Sequence, residues 1–386
     1  APTPGMPMVP SSAAIRLRVL VVLALCASWT AAGHAQLRAA TYNIARLNGD
    51  AGALEAVLQE LAADDVPGFA TAPGVLVFQE VRTQDLAALA ATVSAAGASA
   101  GVEYLAATFT SSPSENGSGG AQALFYRSDL FEEQEAEHRD LPTGAGRNTD
   151  RWNLRLVEYD EPQVTVWVYS SHLKAGGTPQ DEATRLAGAN VIRADAAELG
   201  EEANIIFAGD MNFSSSGDDA YLALLAPGAG GAHDPLGNGS WSGPGNAWKH
   251  TQSPRDVSGG PLIGGGMDDR FDVQLLSAAL VDDAGLSLLP ETYRAFGNDG
   301  QHYNTAINTG GNAYFPDDAG RSGALADALF EASDHIPVVA SYQRPAVTSA
   351  ALADEFGRVI QGAEFAVEVL VANIADVQVP QGTDLL

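Results

Sequence analysis

Asp210 and Asn212 follow Gly209 at the end of the apolar run Ile205-Ile206-Phe207-Ala208, so a carboxylate and an amide stand where a short buried strand gives way to a turn. The same grammar of apolar strand and polar acceptor recurs along the chain. Asn43 closes Thr41-Tyr42-Asn43, Glu80 closes the run from Val75, His172 follows Val164 to Ser170, and Asp334 and His335 precede Val338 to Tyr342. Strand ends collect chemistry in α/β sheets, and these side chains suit hydrolysis of a phosphate ester. That reaction needs a countercharge for the non-bridging oxygens, an oriented water and a proton for the leaving oxygen. Glu80 with Asp334 can supply the one or two carboxylates that Mg²⁺ prefers, waters and substrate oxygens completing its shell. Asn43 and Asn212 can bind metal or phosphate oxygen without adding negative charge. Asp210 can orient or deprotonate the water, and His172 and His335 are the proton handlers and electrostatic partners near neutral pH.

The elements that position these groups read as a mixture of helices and strands. Leu54, Val57, Leu58 and Leu61 recur at helical spacing within 53–63, and a second helix is expected over 83–96. Strands are expected over 102–107, 121–127, 130–138, 152–159 and 164–170, a succession that implies antiparallel hairpins rather than strict βαβ alternation. Thr178, Pro179 and Asp181 form a helix start with a capping box, Gly200 can end that helix, and Leu186, Val191 and Ala194 are its expected packing stripe. Residues 226–266 are rich in Gly, Pro, Ser and Asn, with Trp241, Trp248, His250 and Arg255 among them. A loop that long is functional or disordered, and its Trp residues favour an ordered loop over the site. Phe271, Val273 and Leu275 alternate with Asp272 and Gln274, which puts Asp272 on the face opposite the apolar one. His250, Arg255 and His302 are read first as loop residues and second as substrate contacts.

Arg16 and Arg18 precede the apolar run 19–27, and Gly33-His34-Ala35 offers small residues for cleavage, so residues 1–35 read as a removable leader of an exported protein. The run is too short to span a bilayer comfortably, and no membrane span is expected once the leader is gone. Cys26, the single cysteine, lies inside it, so the mature chain must be held by its core and bound ions rather than by disulfides. The formal charge is −28, and −30 without the leader's two arginines. A field of that sign repels nucleic acid at long range and favours cations in acidic clefts. Past Arg344 the pattern changes: alternation from Phe365 to Val371 reads as a strand of a truncated sandwich module or of a segment packing on the main domain, 345–386.

Thr-Tyr-Asn-Ile (41–44), Gln-Glu-Val (79–81), Ser-His-Leu (171–173), Gly-Asp-Met-Asn (209–212), Arg-Phe-Asp (270–272) and Ser-Asp-His (333–335) occur in an order and separation that resemble the endonuclease/exonuclease/phosphatase superfamily, the deoxyribonuclease I-like fold. The resemblance covers about 36–344. It implies an α/β, four-layer αββα sandwich with two central, mainly antiparallel sheets and a Mg²⁺-dependent phosphoesterase site at one edge. By resemblance Glu80 is the metal-binding glutamate and Asn43 its support. Asp210 and Asn212 position water and phosphate, and Asp334 is the second acidic metal or proton-relay residue. His335 contacts phosphate or activates water, Asp272 orients it, and His172 stands near the leaving group. The expectation is an exported, monomeric phosphodiesterase using Mg²⁺, with Mn²⁺ or Ca²⁺ as alternatives, and acting on nucleic acid ahead of lipid. A sphingomyelinase-like phospholipid phosphodiesterase, a phosphomonoesterase and a non-catalytic surface module are the competing readings.

Overall fold

In a computed structural model the described residues are 19–21, 36–63, 71–117, 119–157, 159, 164–282, 285–345, 348–352 and 367–373. They divide into two units, of which the larger, Ala32–Pro345, carries every candidate site residue. Its first sheet runs in the order β11 (Ser287–Ala295), β12 (Val338–Gln343), β1 (Gln36–Asn43), β2 (Val75–Val81), β4 (Ala121–Arg127) and β3 (Tyr104–Ala106). The second runs β10 (Asp272–Leu276), β9 (Ile205–Asp210), β8 (Thr165–His172), β7 (Asn148–Leu156) and β5 (Phe131–Glu133), with β6 (Arg139–Pro142) also on β7. Both sheets are antiparallel except for one central parallel pair each, β1 with β2 and β8 with β9. Helices α1 (Ala51–Ala63) and α3 (Pro179–Leu199) make the two crossovers that parallel pairing demands. The fold is therefore the expected α/β sandwich of the deoxyribonuclease I-like type.

Helices cover the outer faces because the strands are apolar on both. Leu54, Val57, Leu58 and Leu61 of α1, Leu89 and Val93 of α2 (Leu86–Ala100), and Leu325 and Leu329 of α5 (Ala319–Ala332) pack with Tyr42, Leu76, Phe78 and Phe125 of the first sheet. Ala189, Ile192 and Ala196 of α3, with Tyr221 and Leu224 of α4 (Asp219–Leu225), pack on Tyr169, Phe207, Val273 and Leu275 of the second. Val273 and Leu275 are thereby turned to the helices, and Asp272 and Gln274 toward the other sheet. Two glutamines between the sheets are paired: Gln79 Nε2 reaches Thr41 Oγ1 at 2.9 Å and Ser170 Oγ at 3.0 Å, and Gln274 Nε2 reaches the carbonyls of Ala39 and Val338.

Several elements differ from the expectations. Helix α3 has the expected Thr178–Asp181 capping box, but its buried stripe is Arg185, Ala189, Ile192 and Ala196 rather than Leu186, Val191 and Ala194. The cause is Arg185, whose Nη2 meets buried Asp218 at 2.8 Å and fixes the helix's rotation. The stretch 130–138 breaks into β5 and a turn over Glu135–Glu137, since its run of like charges cannot stack in one strand. Helices α4 and α5 and strand β11 carry no expected element. The smaller unit shows a three-stranded sheet: Val367–Asn373 pairs parallel with Val19–Val21 and antiparallel with Thr348–Leu352. Apart from 19–21, the expected leader lies outside the described residues, as does Phe365. No described helix is long and apolar enough to cross a membrane.

Candidate active site

Strand register assembles the second sheet's contribution. Asp210 is paired across β9 with His172 on β8 and with Asp272 on β10, so three adjacent strand ends present His172, Asp210 and Asp272 side by side. The carboxyl ends of β1 and β2 bring Asn43 and Glu80 to the same edge. Asn43 Nδ2 lies 3.0 Å from Asp210 Oδ2 and 3.3 Å from Glu80 Oε1, one amide tying the two sheets together. His335, at the approach to β12, sets its Nε2 3.7 Å from Asp210 Oδ2, and Asn212 closes the turn by donating its backbone N–H to Asp210 Oδ1 at 3.1 Å. Asn43, Glu80, His172, Asp210, Asn212, Asp272 and His335 thus meet at one edge of the sandwich.

Local backbone aims these groups. β2 bulges between Phe78 and Val81, and Glu80 takes a φ of 59°, which turns its carboxylate out of the ladder. Gly120 permits this: a Cβ there would stand 2.2 Å from Glu80 Cα. Asn212, at φ 51°, turns its amide back onto the Leu173 carbonyl at 3.1 Å. Such conformations gather where function requires them.

The electrostatics separate the two imidazoles. His172 donates from Nδ1 to the Gly119 carbonyl at 2.8 Å, and its Nε2 lies 2.7 Å from Arg147 Nη1. A guanidinium can only donate, so Nε2 is the acceptor and the ring is neutral. Burial accordingly pushes His172 down to about 4, the attraction of Asp210 not compensating for it and Arg147 adding repulsion. In this arrangement the Nε2 of His172 is taken up by Arg147. His335 is the reverse case: burial opposes its charge, but Asp272, Asp210 and Asp334 together raise it to about 10. Its Nδ1 donates to Asp272 Oδ2 at 2.7 Å, and its Nε2 faces the Gln252 side-chain amide at 2.8 Å. A doubly protonated ring requires that amide to present its oxygen, the two ends of the group being alike in shape. Glu80 and Asp210 are both held above the ordinary carboxylate range by burial, which their cationic neighbours only partly offset.

The remaining expected residues have other partners. Asp334 accepts the Ile263 backbone N–H at 2.9 Å, fastening the long loop beside His335. His250 faces the carbonyls of Met267 and Trp241, and His302 faces Asp299 and the carbonyls of Thr309 and Gly311, so both rings serve their loops. Arg255 lies over Phe330 and pairs with Glu331. Trp241 is buried edge-on to Tyr221, an anchor rather than a stacking platform, whereas Trp248 is 47% exposed. Sequence reasoning missed Arg147, Arg46 and Gln252. Arg147 sits in Gly-Ala-Gly-Arg-Asn with no spacing to betray it, and Gln252 lies in the glycine-rich loop. Arg46 had one signal, its place in the turn directly after Asn43.

Among the described residues no group of three or more His, Cys, Asp or Glu side chains forms a ready metal cluster. A hard divalent cation taking one or two carboxylates needs no such cluster. Glu80 and Asp210, brought together on one amide, are oxygen donors of the type Mg²⁺ or Mn²⁺ accepts, so the residues present fit one such ion.

The model of the endonuclease/exonuclease/phosphatase family matches residues 40–335. No curated protein matches the sequence. Among solved structures, D. rerio TDP2 complexed with a single-strand DNA product is similar at 16% identity and a TM-score of 0.48, over 80% of this chain and 98% of that one. The human Nocturnin catalytic domain with bound sulfate is similar at 16% and 0.45, over 80% and 94%. The Bacteroides thetaiotaomicron mannosyl-6-phosphatase is similar at 16% and 0.45, over 79% and 99%. By the span of the family match, over most of its length, this chain belongs to the endonuclease/exonuclease/phosphatase family.

Proposed function

We propose that the chain is an exported phosphodiesterase that hydrolyses its substrate with water and one divalent cation, nucleic acid being the first substrate class. The observation that carries this reading is the seat of Asp210, whose Oδ2 lies within 3.0 Å of Asn43, 3.4 Å of His172 and 3.7 Å of His335. Glu80, supported by Asn43, would hold the cation with a share from Asp210. When bound, Mg²⁺ supplies positive charge to the non-bridging phosphoryl oxygens.

The protein's own groups perform the remaining work. Asp210 orients the attacking water and takes its proton as the new O–P bond forms, Asn43 and Asn212 fixing the carboxylate's rotation. His335, an imidazolium held by Asp272, neutralises the phosphoryl charge and gives the leaving oxygen its proton as the ester P–O bond breaks. Arg147, aimed by neutral His172, adds a fixed positive charge in a buried setting, where such charges are most effective. Export is supported by Arg16 and Arg18 ahead of the apolar run 19–27.

A second reading, a phospholipid phosphodiesterase, is favoured by the loop that Asp334 fastens. Ile263 is 57% exposed and Val257 71%, an aliphatic pair on the loop tied to the site through the Ile263 N–H. Incubating the protein with Mg²⁺ or Mn²⁺ against plasmid DNA, RNA, phosphatidylcholine and sphingomyelin vesicles, and bis-p-nitrophenyl phosphate separates these readings. Cleavage of lipid with none of polynucleotide would reverse the order of substrates. No metal-dependent hydrolysis of any of them would overturn the proposal.

A further inference from the structure

The turn after Asn43 holds its arginine in an unusual way. Ala45, Arg46 and Leu47 have φ values of 45°, 59° and 52°, three successive non-glycine residues in the left-handed region, which L-residues leave unless they are held there. They are held at both ends. The Ala45 N–H donates to Asn43 Oδ1 at 3.0 Å, and Arg82 Nη2 donates to the Arg46 carbonyl at 2.8 Å. The result is that Arg46 folds back over the site. Its Nη1 donates to the Gly117 carbonyl at 2.7 Å, and its Nε stands 3.2 Å from Glu80 Oε2. That Nε makes no aligned hydrogen bond, so its contact with Glu80 is Coulombic and undirected. The reaction proposed above leaves Arg46 without a role.

We propose that Arg46 is the resident countercharge of Glu80, a guanidinium that neutralises this carboxylate when no divalent cation is bound and yields it when one binds, thereby setting the affinity of the site for that cation. The inference rests on the metal-assisted phosphodiesterase reading. A largely buried carboxylate is costly without a positive partner, and Arg46 is the one in direct contact with Glu80, the His335 imidazolium acting beside it. Two positive charges cannot share the same oxygens without strong repulsion at this range. The contact is built for release: it lacks a directed hydrogen bond, while the bond to Gly117 holds the side chain at the rim. There the freed charge meets a phosphoryl oxygen, so binding of cation and of phosphate become mutually favourable.

The test is a calorimetric titration of the full chain with Mn²⁺ alone, for the wild type and for Arg46→Gln, Arg46→Lys and Glu80→Gln, each checked for a cooperative melt. Arg46→Gln is expected to bind Mn²⁺ about ten-fold more tightly, because a nearby positive charge is gone. Arg46→Lys, which keeps the charge, is expected to stay within about three-fold of wild type, and Glu80→Gln to lose binding. Adding inorganic phosphate is expected to tighten Mn²⁺ binding in the wild type and less in Arg46→Gln. Equal or weaker binding by Arg46→Gln overturns the countercharge role and leaves the cation site standing, as does Arg46→Lys tightening as much as Arg46→Gln. Absence of Mn²⁺ binding by both wild type and Arg46→Gln overturns the cation-assisted reading and the countercharge role with it.

Discussion

Arg147 Nη1 meets His172 Nε2 at 2.7 Å, a bond in which the ring can only accept. It makes His172 a neutral Nδ1–H tautomer that orients a cation, a ring that the motif around it places near the leaving group. Nitrogen NMR of the ring at pH 7 should show that tautomer. In Arg147→Ala the His172 pKa should rise from about 4 toward the ordinary 6.5, one source of its depression having been removed. The same variant should lose about 10²-fold in kcat with a smaller change in KM, as expected for a charge felt mainly in the transition state.

Asp272 acts on His335 in the opposite direction. Its carboxylate is a leading reason why the ring stays protonated to about pH 10. Asp272→Asn removes that support, so the alkaline limb of the kcat/KM profile should move to lower pH. At pH 8 the variant should lose about 10²-fold in rate. A limb that stays in place would show that another group governs it.

Outside the site, Asp150 on β7 is buried beside His138 at 3.1 Å, and burial pushes it up to about 7. A carboxyl raised above its unfolded value near 3.8 keeps its contribution to stability at low pH. That contribution is lost as pH rises toward 7, because the unfolded chain ionises first. Asp150→Asn should therefore be near neutral in urea melts at pH 4 and stabilising by about 2 kcal/mol at pH 8.

Gly120 packs its backbone on the Glu80 bulge at a φ of 63°. Gly120→Ala has nowhere to put its methyl, so Glu80 must shift. The expected loss is about 2–4 kcal/mol of stability in denaturant melts, with weaker Mn²⁺ binding in whatever still folds.

The parts of this fold that the chain declares are those with strong periodicity or punctuation. α1 shows four leucine and valine positions at helical spacing, and the Thr178–Pro179–Asp181 start of α3 is written in its capping chemistry. α5 is harder to read because Gly320, Ser322 and Gly323 sit among its first residues and its buried face includes Ser322, Ala326 and Ala332. Tertiary packing overrides its propensity. In the site, the residues at strand ends are visible because an apolar run leads into each. Arg147, Arg46 and Gln252 reach it from loops, and their places depend on contacts with residues 25, 34 and 83 positions away. The acidic composition, read as discouraging polyanion binding, does not reveal that Arg46 and Arg147 are held at the one edge where phosphate chemistry would occur.

The role proposed for Asp210 is activation of water at the phosphoester site. It is tested most directly by kcat/KM for bis-p-nitrophenyl phosphate in Mg²⁺, comparing the wild type with Asp210→Asn, a substitution that keeps shape and removes the base. Metal-dependent hydrolysis by the wild type and a fall of about 10³-fold or more in the variant, without loss of fold, are expected. Hydrolysis by Asp210→Asn at the wild-type rate would contradict it.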